Sequence, residues 1–270
     1  MLPAYEELTA ARNVIVDGIW NMRDLGGLPL RDGGAIPRGR YFRADNLANL
    51  SPAGVAALLR LGVRTVIDLR HDEAARKLPN PLQGHQQVAY FQVDMIGDHC
   101  SFASDVCDAA WRDADEDSRY AALPLFAHLR DYCRWLDERQ PQILTIMELL
   151  ARRRTAPVVY HCEAGKDRTG VVTALLLLLA GVPDLAIAAD YTHTARNNFR
   201  RLELLHRQRK QPLAIRDAAE YAHRVCPVEL MPTFLFWLRS RYGDITSYLS
   251  RIGLADAEVA ALRTALTSHA

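Results

Sequence analysis

A cysteine and an arginine separated by five residues are the pair with the clearest chemistry in this sequence. Cys162 ends the apolar run "PVVYHC", and Arg168 follows the segment "EAGKD". A thiolate is a strong nucleophile, and a guanidinium binds two oxygens of one anion through its planar fork. A short loop that carries both groups can bind an anion and attack it. The spacing therefore indicates nucleophilic chemistry on a phosphoryl group.

The residues around this pair favour an anion-binding loop. The amides of residues 163–168 can all point inward, and Gly165 allows backbone conformations that a Cβ would resist. A helix that begins near Thr169 would add the positive end of its dipole. In this setting Cys162 would be a thiolate, and the Thr169 hydroxyl would donate a hydrogen bond to its sulfur. The expected phosphate-binding residues are Glu163, Ala164, Gly165, Lys166, Asp167 and Arg168, with His161 and Thr169 in support.

The segment "HCEAGKDRTG" resembles the HCxxGxxRTG signature of cysteine-dependent protein tyrosine phosphatases. Three further segments extend the resemblance to the bacterial tyrosine phosphatases over nearly the full chain: "WNMRDLGG" at 20–27, "YFRADNLANLSPAGVAALLRLGVRTVIDLR" at 41–70 and "YGDITSYLSRIGLADAEVAALR" at 242–263. The resemblance implies the α/β phosphatase fold and hydrolysis of phosphomonoesters. A thiolate that faces a phosphoryl group further indicates a cysteinyl-phosphate intermediate, formed without a metal or another cofactor.

Two residues of the loop raise the question of substrate. Lys166 stands where the phosphatase-and-tensin lipid phosphatases carry a lysine, and Asp167 where the myotubularin lipid phosphatases carry an aspartate. Lys166 would suit a substrate with more than one phosphate, such as a phosphoinositide. Glu163 opposes this, because the tensin-type enzymes have another lysine there. We expect phosphotyrosine as substrate, with phosphoserine, phosphothreonine and phosphoinositides as further candidates. The alternative is a catalytically silent module that binds phospho-ligands.

Two aspartates are candidates for the proton donor that the leaving oxygen needs. Enzymes of the resembling class take this proton from a loop that follows a strand upstream of the cysteine, which implies Asp94 in "YFQVDMIGD". Asp98 in the same segment is the weaker candidate there. Asp167 lies inside the loop and is the other choice; its alternative role is an ion pair that orients Arg168 or Lys166. The sequence leaves Asp94 and Asp167 both open.

Other charged residues are expected to have structural roles. Asp68 and Arg70 end the segment "VIDLR" and would form an ion pair on the side of the site. The basic stretch "RNNFRRLELLHRQRK" at 196–210 is expected to be a solvated helix face, or else a guide for acidic headgroups or an anionic membrane. The residues that would fix the N-terminal segment are Asn21, Arg23, Asp24 and Arg43.

One α/β domain of residues 1–270 would position these groups. The segments 63–70, 87–95 and 157–162 predict buried strands, and 51–62 predicts a helix with Ser51 as N-cap, Pro52 at its first position and Gly62 as its stop. Helical patterns follow from Thr169 onward and include the two separate segments 184–196 and 198–210. This order favours a mostly parallel sheet flanked by helices, with a helical C-terminal part. Ligands bind beyond the carboxyl ends of such strands, which is where Cys162 stands. Residues 96–118 suggest a lid or mobile loop, and residues 184–224 additional helices.

Composition is that of an ordinary globular chain, with 49% hydrophobic and 24% charged residues. A formal net charge of +1 offers no field that would attract nucleic acid. The longest apolar run, "VVTALLLLLAGV", reads as a buried helix rather than a transmembrane segment. Five scattered cysteines and no recognisable signal peptide indicate a cytoplasmic protein, with export that needs no signal peptide left open.

Overall fold

A central sheet of five strands organises the computed structural model, which describes residues 2–97, 125–209, 213 and 215–268. The strand order is β1-β2-β5-β3-β4, and β1 pairs antiparallel with β2 while the other neighbours are parallel. This confirms the expected α/β class with a mostly parallel sheet. The strands are β1 (Arg23–Asp24), β2 (Tyr41–Ala44), β3 (Thr65–Asp68), β4 (Ala89–Gln92) and β5 (Val158–His161).

Eleven α-helices in the described part of the chain surround this sheet. The first five are α1 (Leu2–Ala10), α2 (Pro52–Arg60), α3 (Asp72–Lys77), α4 (Leu125–Glu138) and α5 (Gln140–Arg152). The rest follow β5: α6 (Asp167–Ala180), α7 (Asp184–Arg209), α8 (Ala218–Val225), α9 (Leu230–Tyr242), α10 (Ile245–Arg251) and α11 (Asp256–Thr267). The C-terminal part is therefore helical, as expected.

Local signals set several of these boundaries. Ser51 caps α2 by accepting a hydrogen bond from the Gly54 amide, and Pro52 occupies the first turn. Gly62 follows the helix with a φ of 82°, a left-handed conformation that favours glycine. The helix predicted over residues 51–62, between the Ser51 cap and the Gly62 stop, is thus confirmed as Pro52–Arg60.

The structure differs from the expected pattern at α7. Residues 184–196 and 198–210 were predicted as two helices, but Asp184–Arg209 is a single helix of 26 residues. The predicted break fell at Asn197, and both this residue and Asn198 have low intrinsic helix propensity. Both side chains make tertiary hydrogen bonds that offset this preference. The lid expected over 96–118 lies outside the described residues from 98 onward, and Asp98 lies there with it.

Two apolar layers cover the faces of the sheet. Alternate residues of a strand face opposite sides. Ile67 belongs to the larger core, which includes residues of α4–α11, and Val66 belongs to the smaller one, which includes Leu58 of α2. The apolar run after the loop forms α6, in which 12 of 14 residues are buried. Of the helices that the structure describes, none has the length and apolar character needed to cross a membrane.

The strand register brings the expected site residues to one edge. Ala44, His161, Asp68 and Gln92 are paired across four neighbouring strands and end them together. The residues that follow these strand ends, including Cys162, therefore lie along the carboxyl edge of the sheet. This is the edge where parallel sheets bind ligands.

Candidate active site

The loop between β5 and α6 places the cysteine at the centre of the sheet edge. Cys162 is the first residue after β5 and is 2% exposed. The chain then turns through residues 163–166 and enters α6 at Asp167, so the helix N-terminus points back at the loop. Such a helix end attracts anions because its first amides lack partners within the helix.

Three successive carbonyl groups of this loop accept hydrogen bonds from other elements. Because the C=O and N–H of one trans peptide unit point in opposite directions, these contacts turn the next amides, those of Ala164, Gly165 and Lys166, toward the inside of the loop. Inward amides form an anion-binding nest. The contacts are Asn46 N to Glu163 O at 2.9 Å, Asn21 Nδ2 and Asn198 Nδ2 to Ala164 O at 3.0 and 3.2 Å, and Arg43 Nη2 to Gly165 O at 2.7 Å.

Two glycines let the loop and the following helix pack closely. Gly165 has a φ of 64°, and a Cβ there would lie 2.6 Å from the Ala44 carbonyl oxygen, so the site admits no side chain. A Cβ on Gly170 would lie 3.1 Å from the Tyr191 ring of α7. The first glycine therefore fixes the loop against β2, and the second lets α7 approach α6.

A buried cluster of three arginines around one carboxylate supports the loop from the N-terminal side. Asp190 of α7 accepts from Arg12 at 2.5 Å, Arg23 at 3.3 Å and Arg43 at 2.5 Å, and all four side chains are at most 1% exposed. Arg23 also donates to the Asn21 side-chain oxygen. The loop-binding side chains Asn21 and Arg43 are thus both anchored to Asp190.

This arginine cluster carries a net positive charge in the protein interior. Burial and the neighbouring charge of Arg43 lower the pKa of Arg23 to about 9. For Asp190, burial would raise the pKa, but the three guanidinium groups outweigh it and hold the pKa well below its usual range. The excess positive charge lies directly beneath an anion-binding loop, where it stabilises a bound anion.

A second, charge-balanced cluster supports the loop from the opposite side. His161 is fully buried, with Nδ1 3.1 Å from the Cys162 carbonyl oxygen and Nε2 3.2 Å from the Asn80 amide nitrogen. Burial lowers the pKa of His161, and the contacts fit a neutral ring with its proton on Nδ1. Asp68 lies 3.6 Å from His161 Nε2 and forms the expected ion pair with Arg70 at 2.7 Å.

Arg168 lies on the loop as the sequence predicted, whereas Thr169 does not make its predicted hydrogen bond. Arg168 is 4% exposed and lies in the first turn of α6, on the loop as expected. Thr169 is fully buried, and its hydroxyl makes no hydrogen bond within the described part of the chain. The hydrogen bond expected from Thr169 to the Cys162 sulfur is therefore not formed in this structure.

Lys166 and Asp167 bind one another rather than facing outward as two separate groups. The Lys166 ammonium lies 2.7 Å from Asp167 Oδ1, and Lys166 is 4% exposed. Tyr132 of α4 donates to the same oxygen at 2.5 Å, and His128 Nδ1 lies 3.7 Å from it. This arrangement matches the structural alternative for Asp167, an ion pair that orients Lys166.

The charge state of Asp167 follows from these contacts. Burial would raise its pKa, but the charge of Lys166, followed by that of His128 and the hydrogen bonds, outweighs it and lowers the pKa to about 2. A carboxyl with this pKa is ionised near neutral pH and has no proton to give. The contacts therefore favour a positioning role over the general-acid role that the sequence left open.

Asp94 lies beyond the end of β4, on the same edge of the sheet. Its Oδ1 accepts from the amides of Ile96 and Gly97, both at 2.8 Å, while Oδ2 lies 3.3 Å from the Asp72 amide and 3.7 Å from His71 Nε2. The carboxylate closes the turn that leads into residue 98. Asp94 is thus placed on the side of the site, and its oxygens bind that turn.

Glu163 lies partly exposed at the loop mouth. Its side chain accepts a hydrogen bond from Asn46 Nδ2 at 2.9 Å, alongside the backbone contact of the same two residues. Glu163 therefore ties the loop to the segment after β2. Among the described residues, no group of three or more His, Cys, Asp or Glu side chains is arranged to hold a metal ion.

Sequence reasoning missed the residues that shape the loop from a distance. Asn21 and Arg43 were expected only to fix the N-terminal segment, and Asp190 and Asn198 were given no role. Asp190, Thr194, Asn197 and Asn198 recur at helical spacing on one face of α7, and this polar periodicity was the signal available. The described part of this stretch, residues 196–208, accordingly has a buried face as well as exposed arginines and is not wholly solvated.

Comparisons with known proteins match this geometry. A model of the tyrosine phosphatase family covers residues 14–268. The chain is 28% identical over 254 residues to a tyrosine-protein phosphatase of Nostoc commune, covering 86% of this chain and 76% of that protein. It is 32% identical over 188 residues to the triple specificity protein phosphatase PtpB of Mycobacterium tuberculosis, covering 64% of this chain and 66% of that protein.

The family match spans the described site except Arg12, which lies two residues before the match begins. It includes Asn21 and Arg43 at one end, the cysteine loop in the middle and α7 beyond it. With 255 of 270 residues inside the match (14 to 268), the resemblance seen in separate segments is one continuous relationship. The chain belongs to the tyrosine phosphatase family and, as a member of it, is a protein tyrosine phosphatase.

Proposed function

We propose that the protein hydrolyses phosphotyrosine through a cysteinyl-phosphate intermediate. The Cys162 thiolate attacks phosphorus, the P–O bond to the tyrosyl oxygen breaks, and water later cleaves the S–P bond to release phosphate. The loop amides of residues 163–168 and the Arg168 guanidinium bind the nonbridging oxygens, whose negative charge they stabilise in the transition state. The nucleophile and its electrostatic support all come from this one loop.

One observation carries this proposal: the carbonyls of Glu163, Ala164 and Gly165 are all bound from outside the loop. A loop held in this way presents its amides beside Cys162 before any substrate arrives. Preorganised donors of this kind need no rearrangement during the reaction and are the largest contribution in many enzymes.

We assign the proton donor to Asp94 rather than Asp167. Asp167 is held ionised by Lys166, whereas Asp94 begins the segment that follows β4. A donor in such a segment reaches the leaving oxygen only when the segment moves over the substrate, and this motion would release the contacts of Asp94 with its own turn. The role of Asp167 is then to hold Lys166 under the loop.

The leaving group tests this assignment. A nitrophenolate leaves without a proton far more readily than a tyrosyl oxygen, whose conjugate acid has a pKa of about 10. We expect Asp94→Asn to reduce turnover of a phosphotyrosyl peptide by about 100-fold or more, and that of p-nitrophenyl phosphate by much less. Asp167→Asn is the matched control. Equal losses on both substrates for Asp94→Asn would remove Asp94 from the proton-donor role.

The substrate range is proposed to centre on phosphotyrosyl proteins. Lys166, the residue that suggested a second phosphate, is committed to Asp167, and Glu163 adds a negative charge at the mouth. We expect phosphoserine, phosphothreonine and phosphoinositides to be hydrolysed more slowly. The name of the mycobacterial relative, a triple specificity phosphatase, is the reason to include all three classes in the test.

A phosphate-release panel of phosphotyrosyl peptides, phosphoseryl peptides and phosphoinositides tests the function, with Cys162→Ser as the inactive comparison. We expect fast release from phosphotyrosine, and a phosphoenzyme on Cys162 that acid quenching and mass spectrometry detect. The alternative, a silent phospho-binding module, predicts tight ligand binding by both proteins and release by neither. Finding that result would end the enzymatic proposal.

The nucleophile also suggests where the protein works. Cys133, Cys162 and Cys226 are free thiols among the described residues. A thiolate nucleophile is lost on oxidation, so we propose a reducing compartment such as the cytoplasm. Fractionation of the native cells would check this, and recovery of the protein solely outside the cells would contradict it.

A further inference from the structure

A narrow cleft beside the phosphate loop has no part in the chemistry described so far. The cleft is about 10 Å³ in volume, which is room for about one water molecule. Its walls are formed by Ala164 of the loop and by a stretch of α7, namely Asn198, Arg201, Leu202 and Leu205. We call this feature the flanking cleft. The cleft adjoins the loop, since Ala164 belongs to both.

Arg201 gives the flanking cleft its charge. It is half-buried and lies three residues after Asn198, on the same face of α7. In the described part of the chain no carboxylate forms a direct ion pair with it, and its charge acts beyond ion-pair distance on the buried carboxyl of Asp45. By contrast, Arg31 and Arg239 share Asp184 near the start of the same helix. Arg201 is therefore a cation beside the loop with capacity for an anionic partner.

Asn198 supplies an acceptor in the same place. The residue is 6% exposed, and its Nδ2 donates to the Ala164 carbonyl, which fixes the side chain. Its Oδ1 is buried and has no hydrogen-bond partner among the residues that the structure describes. Leaving a buried acceptor unpaired is unfavourable, so a donor from a bound ligand would stabilise the site.

The walls of the flanking cleft distinguish between two kinds of anionic substrate. Leu202 and Leu205 present apolar surface, which suits the carbon atoms of a peptide better than a fully hydroxylated inositol ring. A peptide also brings backbone N–H groups that can satisfy the Asn198 oxygen. Since the cleft has room for about one water, the contact is best made through a single bridging molecule.

We propose that Arg201, in the wall of the flanking cleft, binds an acidic residue next to the phosphotyrosine of a peptide substrate, while the cleft itself holds one water. Arg201 pairs with the Asp or Glu carboxylate, and Asn198 Oδ1 accepts, through one water, from a backbone amide of the same peptide. The subsite rests on the proposed phosphotyrosine hydrolysis and assigns its sequence preference. Acidic flanks would therefore distinguish good protein substrates from poor ones.

Paired phosphotyrosyl peptides test the subsite, one with Glu and one with Gln on each side of the phosphotyrosine. The variants are Arg201→Gln and, as a matched control, Arg207→Gln, which alters an exposed arginine farther along α7. Each is assayed on both peptides, on p-nitrophenyl phosphate and on a short-chain phosphatidylinositol bisphosphate. The small aryl phosphate reports the loop alone, so it shows whether a variant is folded and active.

We expect the wild type to prefer the acidic peptide by about 5- to 10-fold in kcat/KM at low salt, and Arg201→Gln to abolish this preference. Arg207→Gln should keep it. Loss of activity on the aryl phosphate in Arg201→Gln would overturn the proposal, because Arg201 would then support the loop. An effect confined to the lipid would overturn it in favour of a headgroup site.

The remaining outcomes separate the subsite from the reaction itself. A wild-type enzyme that hydrolyses both peptides equally well refutes the subsite and leaves phosphotyrosine hydrolysis intact. A wild-type enzyme that releases no phosphate from any of the aryl phosphates refutes the proposed function. Raising the salt concentration should reduce the acidic preference of the wild type but not its rate on the neutral peptide.

Discussion

Two buried charge clusters hold the same loop from opposite sides, and they differ in balance. On one side, Asp190 binds three arginines. Arg43, which is one of these, and Asn21, which is held through Arg23, donate to loop carbonyls. On the other, Asp68 pairs with Arg70, and His161 is neutral. The first cluster has an excess of positive charge and shapes the anion nest. The second is balanced and fixes the backbone where β5 ends.

The difference indicates that positive charge is placed where the phosphate binds, at some expense of stability. Buried guanidinium groups without full compensation destabilise a folded protein. The Asp190 cluster carries this destabilising excess charge, but its donors turn the loop amides inward and its charge favours a bound anion. The balanced Asp68 cluster brings no such advantage for binding. The predictions below separate these two roles.

The largest expected effect is on stability, from Asp190→Asn. This change leaves Arg12, Arg23 and Arg43 buried without a counter-charge, and we expect a loss of about 3–5 kcal/mol in the free energy of unfolding. Asp184→Asn is the matched control on the same helix, since Asp184 pairs with two partly exposed arginines. The control should lose less than about 1 kcal/mol. Urea denaturation measures both, and equal losses would contradict the assigned role of Asp190.

The next effect is on catalysis and compares an asparagine from each side. Asn21→Ala removes the donor to the Ala164 and Gly165 carbonyls, so the nest loses its shape. We expect kcat/KM for p-nitrophenyl phosphate to fall by about 10- to 100-fold, because small misplacements of catalytic groups are expensive. Asn80→Ala, which alters the contact to His161, should cost less than about 10-fold. A larger loss of kcat/KM for Asn80→Ala than for Asn21→Ala would contradict the prediction that the Asp190 side matters more for catalysis.

The sequence predicted the parts of this site that are local. Cys162, Arg168 and the glycine at 165 lie within one loop, and their spacing alone indicates a phosphate nest. The helix at 51–62 was equally readable, because its N-cap, proline and terminal glycine are adjacent to it. Each of these predictions depends on residues a few positions apart.

The parts that could not be read depend on contacts between distant segments. Asp190 meets Arg12 across 178 positions, and no spacing rule links them. The direction of Lys166 depends on Asp167, which is in turn held by Tyr132 of α4. A helix pattern broken at Asn197 looked like two helices because the tertiary partners of the asparagines were unknown. Ion pairs and hydrogen bonds between distant segments of this kind can be identified only once the fold is known.

A third prediction concerns the balanced cluster and acid. Burial would raise the pKa of Asp68, but its contacts with His161 and Arg70 outweigh it, so the pKa falls from 3.8 to about 2. A depressed pKa contributes stability above the unfolded value, and this contribution is lost as pH falls from about 4 to 2. It amounts to about 2 kcal/mol. The difference in stability between the wild type and Asp68→Asn should therefore become smaller as pH falls over this range, which thermal denaturation measures. A difference that stays constant would contradict the prediction.

The smallest expected effect comes from Asp45, a buried carboxyl on the positive side with the opposite shift. Burial raises its pKa from 3.8 to about 6, and the amides of Trp20 and Asn21 reverse this only in part. Because the unfolded chain ionises first, this group makes the protein less stable as pH rises from about 4 to 6, with the full penalty present above 6.

Asp45→Asn keeps an oxygen that can accept from Asn21 N and removes the charge. We expect it to be more stable than the wild type by roughly 1 kcal/mol at pH 7.5, with the difference vanishing near pH 4. Denaturation of both proteins across this pH range measures the effect. A variant less stable at pH 7.5 would contradict this, because it would mean that the negative charge of Asp45 stabilises the fold by offsetting the charge of Arg201.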